Sequence, residues 1–372
     1  MNYLLITEYF PESEQAEFTG GVEARCFYFV KFFSKKDNIK VLCSHQPGQK
    51  RKSTVFGAEV IRVGPTTKYS NSGELINRLK LGWSFYKQGQ KYKNSNIVEG
   101  ASFLTYLPAY FLGKKLKAKK IATWHETWVG EWIKNKGFFT GIFGEIWERI
   151  ALNLKWDQII SVSEFTKKRL FKRKVKCEKI KVTPNGIDLD EFKNIHVNKY
   201  KNLTICYFGR VNWQKNLDLL IKSVALIKKD IPNIQCKIIG GGPAIDSLKE
   251  LVEKLDLNKN VQFTGKIKTR QELLKEAKKC HIFVHPSTLE GFGITVLEAM
   301  ALELPYVITN IEPFIEVTKN GAGGEIFPKN NIKELTNKII NLIENKEMYN
   351  NKMIEGQKLI KQYDWKEIIK KR

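Results

Sequence analysis

Glu290 and Glu298 stand eight positions apart, and Gly291, Phe292, Gly293 and Ile294 follow directly on the first. Ahead of them the apolar run Ile282, Phe283, Val284 reads as a buried strand. Behind them Thr295, Val296, Leu297, Ala299, Met300, Ala301 and Leu302 read as a helix. One carboxylate therefore falls in a glycine-rich loop at a strand's end, and the other about one turn into the next helix. The first N–H groups of a helix lack intrahelical partners and attract anions. A carboxylate on each side of them can accept hydrogen bonds from sugar hydroxyls. The spacing suits a nucleotide-sugar, with phosphates on the N–H groups and hydroxyls on the carboxylates. A plainer alternative stays open: glycine after a strand makes a turn, and glutamate in a first helical turn serves the helix dipole.

Further along the chain are groups that would complete such a site. Gly209 ends the run Tyr207, Phe208, and Arg210 and Lys215 follow within six residues. Two cations at a sheet's C-terminal edge can clamp a diphosphate and stabilise it as it leaves. Gly240, Gly241, Gly242 and Pro243 close the next strand and would let a base or ribose approach the backbone. They form neither a P-loop, since no Gly-Lys-Ser/Thr follows, nor a dinucleotide fingerprint, since the glycine spacing differs. Gly20 and Gly21 precede a helix at Val22 and offer another anion-accepting edge. His125, followed by Glu126, ends the strand-like run Ile121–Trp124, placed either to meet a substrate or simply to pack.

Strand and helix patterns alternate, twice over. Strand-like runs are Tyr3–Thr7, Lys40–Ser44, Glu59–Val63, Ile97–Glu99, Lys120–Trp124, Gln158–Val162 and Ile180–Thr183. A second series is Leu203–Phe208, Gln235–Gly240, Val261–Thr264, His281–His285, Tyr306–Thr309 and Gly324–Phe327. Helix-like runs such as Val22–Ser34, Leu75–Lys91, Phe138–Leu154, Asn216–Lys229, Ala244–Leu255 and Lys333–Asn345 separate them. This predicts an α/β fold of two doubly wound, Rossmann-like domains, 1–190 and 191–372, joined in the polar stretch after Pro184, Asn185 and Gly186. A terminal helix, about 358–372, would cross back to the first domain.

At 372 residues and 42% hydrophobic content the chain can build two cores. No apolar run reaches the ~18 residues of a membrane span, and the N-terminus lacks the basic region and cleavage site of a signal peptide. Six scattered cysteines form no Cys-x-x-Cys pair, which fits the cytoplasm. Cys280, His281 and His285 come close together, but packing around a buried strand accounts for them better than a metal does. The net charge is +24, and from Lys40 to Lys120 sixteen lysines and arginines stand against three acids. Such a face suits anionic lipid, nucleic acid or phosphorylated substrates. Nucleic acid is disfavoured because no recognised binding module accompanies the charge. Between Trp132 and Trp147, Phe138, Phe139, Ile142, Phe143 and Ile146 lie at helical spacing beside Lys134 and Lys136. That stripe fits a helix packed into a core. With the basic region, it also fits a helix resting on a membrane surface.

In their order and spacing, Gly20–Gly21–Val22–Glu23, His125, Pro184–Asn185–Gly186–Ile187–Asp188, Gly209–Arg210 with Lys215, Gly240–Gly242–Pro243, Glu290 to Glu298, and Asp364–Trp365 resemble the family-four retaining glycosyltransferases of the two-domain GT-B architecture. The resemblance spans nearly the whole chain and implies two domains facing a central cleft. It implies that Arg210 and Lys215 hold the donor's diphosphate and that Glu298 binds the ribose. Glu290 and the amides of Gly291, Phe292 and Gly293, with Ile294 beside them, would position the transferred sugar. His125 would contact that sugar near the reacting carbon, Gly20 and Gly21 would approach the phosphates, and Gly241, Gly242 and Pro243 would line the donor. No metal or other cofactor is implied. The implied donor is a nucleoside-diphosphate sugar. The basic region and the aromatic stripe together predict a lipid-linked or cell-envelope glycan acceptor, met from the cytoplasm at the inner face of the membrane, with a soluble acceptor as the alternative. The chain departs from the family at Glu126, where many members have Asp, and at Asn310–Val317, which lacks a common glycine pair. Two carboxylates also raise glycoside hydrolysis, which needs them opposed at ~5–9.5 Å.

Overall fold

The computed structural model describes residues 1–15, 18, 20–68, 75–173, 175 and 177–370. The chain divides into two compact units, one of Met1–Glu14 and Gly21–Pro184, the other of Gln15–Gly20 and Asn185–Arg372. Both are mainly parallel sheets with helices between most successive strands, the α/β class the alternating pattern predicts.

The first unit's described strands are β1 (Asn2–Ile6), β2 (Asn38–His45), β3 (Lys52–Val55), β4 (Ala58–Thr66), β5 (Ile97–Gly100), β6 (Lys119–Trp124), β7 (Gln158–Ser161) and β8 (Ile180–Val182). They lie in the order β3-β4-β2-β1-β5-β6-β7-β8. Every neighbouring pair is parallel except the edge hairpin of β3 with β4. The second unit holds β9 (Thr204–Phe208), β10 (Gln235–Ile239), β11 (Val261–Gly265), β12 (Ile282–His285), β13 (Tyr306–Thr309) and β14 (Gly324–Phe327). These are all parallel, in the order β11-β10-β9-β12-β13-β14. β9, β12 and β13 are buried along their whole length, as strands covered by helices on both faces must be.

Apolar residues at alternate strand positions and along one helical stripe build each core. In the first unit Leu4, Ile6, Leu42, Val98 and Ala122 meet Phe85, Leu112 and Trp156. In the second Ile205, Ile238, Val284 and Val307 meet Leu220, Val224 and Ile339. Cys26, Cys43, Cys206, Cys236 and Cys280 are buried free thiols.

The division falls at Pro184/Asn185 rather than at 190/191. The reason is the tail: Ile187 N–H donates to Tyr363 O (3.0 Å), and Trp365 N–H donates to Ile187 O (3.0 Å). A Cβ on Gly186 would come within 2.6 Å of Tyr363 O. The terminal helix Trp365–Lys370 thus sits on residues 186–190, which the sequence reading gave to the first domain. Residues 371–372 lie outside the described part.

Candidate active site

In the second sheet β9 lies between β10 and β12, so the connection after β9 leaves toward one side and that after β12 toward the other. Ligands of open α/β sheets bind at such a switch point. The loop after β9 carries Gly209, Arg210 and Lys215, and the loop after β12 carries Ser287 to Gly293. One carbonyl fastens the two together. Gln214 O accepts from Ser287 Oγ (2.9 Å), Thr288 N–H (2.9 Å) and Thr288 Oγ1 (3.3 Å). Tyr207 Oη donates to Arg210 O (2.9 Å) and fixes the backbone of the other cation.

Lys215 and Glu290, 75 residues apart in sequence, form an ion pair through Lys215 Nζ and Glu290 Oε1, with both side chains mostly buried. His285 Nε2, at the end of β12, lies 3.1 Å from the same Oε1, close enough for a hydrogen bond but not aligned for one. Its Nδ1 is 3.3 Å from Thr295 Oγ1. Burial opposes ionisation of Glu290, but Lys215 and then His285 override it and hold the carboxyl well below its ordinary range. Burial keeps His285 neutral against the pull of Glu290. Sequence spacing showed that His285 is buried and missed its neighbour. Cys280 and His281 point to other work: His281 Nδ1 accepts from Thr204 N–H (3.0 Å), and Cys280 Sγ faces Glu276 O (3.7 Å).

The helix after this loop is Ile294–Ala301, and Gly293 caps it at φ +104° without a side-chain cap. Only glycine takes that conformation at no cost, and a Cβ there would also strike Phe314 at 2.9 Å. Phe292 turns inward and is buried. The helix therefore begins four residues after Glu290, with no side chain capping its first N–H groups. Glu298 differs from the sequence picture. It is 5% exposed and paired at 2.6 Å with Arg270, itself nearly buried, whose Nε lies 3.5 Å from Glu191. Burial raises the Glu298 pKa while Arg270 pulls it down. Arg270 was missed because it opens a helix 28 residues upstream, with no local mark of its partner. Glu298 is thus held by Arg270 and Glu290 by Lys215, each carboxylate with its own cation.

The glycines of the loop after β10 have a structural task that the sequence reading did not assign. A Cβ on Gly240 would sit 1.9 Å from Gly209 O, and one on Gly242 2.0 Å from Val211 O. They let the 209–211 and 240–244 backbones run together, with Gly209 N–H donating to Ile239 O and Val211 N–H to Gly241 O (both 2.9 Å). Gly241 alone has room, its nearest neighbour being Lys266 Cβ at 3.5 Å. Pro243 follows before the helix Ile245–Lys254.

In the first unit Gly21 begins the helix Gly21–Phe33, and Arg25, one turn on, is buried with Nη1 donating to Pro184 O (3.0 Å). His125 lies just past β6 with Nε2 buried and without a hydrogen-bond partner. Burial first, then the nearby Arg25 charge, brings its pKa down to about 3, so the ring is neutral. Glu148, on the helix Phe138–Asn153, is 2% exposed and binds the chain on both sides of His125. It accepts from Trp132 Nε1 (2.7 Å), Trp128 N–H (3.1 Å) and Trp124 Nε1 (3.3 Å). Gly141 and Gly144 let the helix Trp132–Lys136 press close on the same helix. Its other side is open: Phe138, Phe139 and Ile146 are 63%, 87% and 53% exposed. The apolar stripe is therefore not wholly core. Among the described residues no three His, Cys, Asp or Glu side chains are placed to hold a metal ion, and no helix is long and apolar enough to cross a membrane.

Two Rossmann-like units, one with a cation–carboxylate junction at its switch point, define the GT-B class of α/β proteins. Residues 188–359 match Glycosyl transferases group 1 and residues 19–191 match Glycosyltransferase Family 4. The chain belongs to this group 1, family 4 class of glycosyltransferases. It is 30% identical over 213 residues to an uncharacterized glycosyltransferase of Methanocaldococcus jannaschii, covering 57% of each chain. It is 30% identical over 173 residues to the alpha-monoglucosyldiacylglycerol synthase of Streptococcus pneumoniae, covering 43% of this chain and 38% of that one. These matches span little more than half of the first relative's length and less of the second's. The fold is similar to that of sucrose-phosphate synthase from Thermosynechococcus elongatus, with a TM-score of 0.83 at 17% identity over 100% of this chain and 96% of that one.

Proposed function

We propose that the protein transfers a hexose-type sugar from a nucleoside-diphosphate sugar to a lipid-linked or cell-envelope glycan acceptor, with retention at the anomeric carbon. The junction of Lys215 with Glu290 carries this reading, because it puts a cation, a fixed carboxylate and a helix start at one switch point. Arg210 and Lys215 take up the charge that develops on the leaving diphosphate, and Glu290 accepts from a sugar hydroxyl. The donor-binding role of Glu298 is narrowed by its pairing with Arg270 and falls to whichever oxygen Arg270 leaves. Gly20, Gly21, His125 and the 241–243 loop keep the donor roles that the resemblance implies. No metal takes part in this scheme.

A thermal-shift screen against UDP-, GDP- and ADP-sugars tests the donor, since a ligand of the folded state raises Tm. No shift with any of them overturns the reading.

The acceptor half rests on the first unit's surface. Besides Phe138 and Phe139, the helix Leu75–Gly89 exposes Ile76 (66%) and Trp83 (65%) beside Lys80 and Lys87. Apolar side chains set among lysines suit an anionic headgroup layer at the inner face of the membrane. The lipid glucosyltransferase named among the relatives supports the same class of acceptor. Flotation with anionic vesicles at low and high salt tests it. No recovery at low salt directs the search to a soluble acceptor.

A further inference from the structure

His285 is buried in the second unit's core edge, yet it does not behave as packing. Its ring is set among Phe314, Tyr207 and Phe283, with centroids at 4.9, 5.2 and 5.7 Å. Three aromatic neighbours fix the plane of the imidazole. Thr295 Oγ1 lies 3.3 Å from Nδ1 and can donate to it, which leaves the ring proton on Nε2, 3.1 Å from Glu290 Oε1 though not aligned on it. Burial favours that neutral ring. Lys215 Nζ and His285 Nε2 then approach the same oxygen, Oε1 of Glu290. Neither contact uses Oε2.

We infer that His285 is a positioning residue that, with Lys215, pins Oε1 of Glu290 so that Oε2 is the oxygen presented to one hydroxyl of the donor sugar. The inference rests on the nucleotide-sugar reading of the site. Lys215 alone cannot set the carboxylate's rotation, because a flexible ammonium follows the oxygen wherever it turns. An imidazole wedged between aromatic rings cannot follow, so it selects one orientation. The consequence concerns the sugar and not the nucleotide: losing His285 should blur recognition of the hexose and leave the diphosphate clamp alone.

The test measures affinities of the full chain, by calorimetry, for UDP, GDP and ADP and for their glucose, galactose and mannose esters. The variants are His285→Phe, His285→Gln and His285→Asn. Phenylalanine keeps the ring volume and removes the N–H. Glutamine places an amide near the Nε2 position, and asparagine near Nδ1, where it can serve Thr295 but not Glu290. We expect the hexose esters to weaken about ten- to a hundredfold in H285F and H285N, the scale of one hydrogen bond to a charged group. Bare diphosphates should hold within about twofold, and H285Q should recover most of the loss. Discrimination between the glucose and galactose esters should shrink in the same order. Equal weakening of bare and sugar-bearing nucleotides would make His285 a structural residue and overturn the inference. So would wild-type affinities in both H285F and H285N. Where H285F loses its fold, the Gln/Asn contrast decides alone. If the wild-type chain binds none of these nucleotides, the functional reading itself falls and this inference with it. If it binds them and the variants match it, only the inference falls.

Discussion

Glu290 in the second unit and Glu148 in the first are both buried carboxylates beside loops that leave a sheet's edge, yet their partners are of opposite kinds. Glu290 faces an ammonium and a neutral imidazole, and the cation holds it ionised. Glu148 faces two indole N–H groups and a backbone N–H, all neutral, and burial raises its pKa in spite of them. Neutral donors satisfy lone pairs without offsetting the loss of hydration around a charge; a cation does both. The difference separates two uses of one side chain. Glu148 ties the helix Phe138–Asn153 to the 124–132 segment and so holds the chain on which His125 sits. Glu290 stores a fixed negative charge at a place where a ligand's hydroxyls and phosphates are expected.

The largest effect should come from the cationic side of that comparison. Arg210→Ala and Lys215→Ala are each expected to cut sugar transfer by ~10²–10³-fold, the cost of removing one group that stabilises developing charge. Single-turnover rates with a radiolabelled donor would measure it. Lys215→Ala should also lower stability, because it strips a mostly buried carboxylate of its cation, costing up to ~3 kcal/mol. Near-normal transfer in both would remove the clamp from the mechanism.

The next effect concerns Glu148 and should appear in stability first. Glu148→Ala orphans three N–H donors, and we expect a loss of about 3 kcal/mol or more in urea unfolding. Tryptophan emission should shift as Trp124 and Trp132 lose a shared acceptor. Glu148→Gln should lose less, since its carbonyl still accepts. An alanine variant of wild-type stability that cannot transfer sugar would break the distinction, and make Glu148 a chemical group.

Acid should separate the two carboxylates in sign. The folded pKa of Glu148 is raised above its ordinary 4.5, so protons bind the folded state more tightly, and its contribution to stability grows as pH falls toward that value. The folded pKa of Glu290 is depressed, so its contribution is present above 4.5 and is lost only as pH falls further. Wild type should therefore gain on Glu148→Gln between pH 7 and about 4.5. Its margin over Glu290→Gln should stay level there and shrink below. Urea midpoints across that range measure both margins. Parallel curves would show that the two carboxylates titrate alike.

The alternation of apolar runs made both sheets legible, because strands buried on two faces must be continuously apolar. β3 was not legible: Lys52, Ser53 and Thr54 form a polar edge hairpin whose pairing rests on the backbone. At the site, the loops were legible as glycine and charge at strand ends, and topology explains why Lys215 reached Glu290. The partners of the other carboxylates were not. Arg270 lies 28 residues before Glu298, and Trp124 and Trp132 lie 24 and 16 before Glu148. Pairings across elements leave no periodic trace in a sequence. His285 shows the limit most clearly, since burial and neighbourhood to Glu290 demand the same apolar context.

The smallest expected effect is also the most selective. Gly240 and Gly242 are fixed by backbone contact, so alanine at either should break the fold of the second unit's edge. Gly241 is different: its φ is ordinary, and an added Cβ would meet only Lys266 Cβ at van der Waals distance. Gly241→Ala should change stability by no more than ~0.5 kcal/mol. Any loss of donor affinity in that variant must then come from the ligand, because nothing in the protein resists the methyl group. Calorimetry with the bare nucleoside diphosphate and with its hexose ester would show which part of the donor lies against the loop. Unchanged affinity for both would leave this loop purely structural, like Glu148, and confine recognition to the Lys215–Glu290 side.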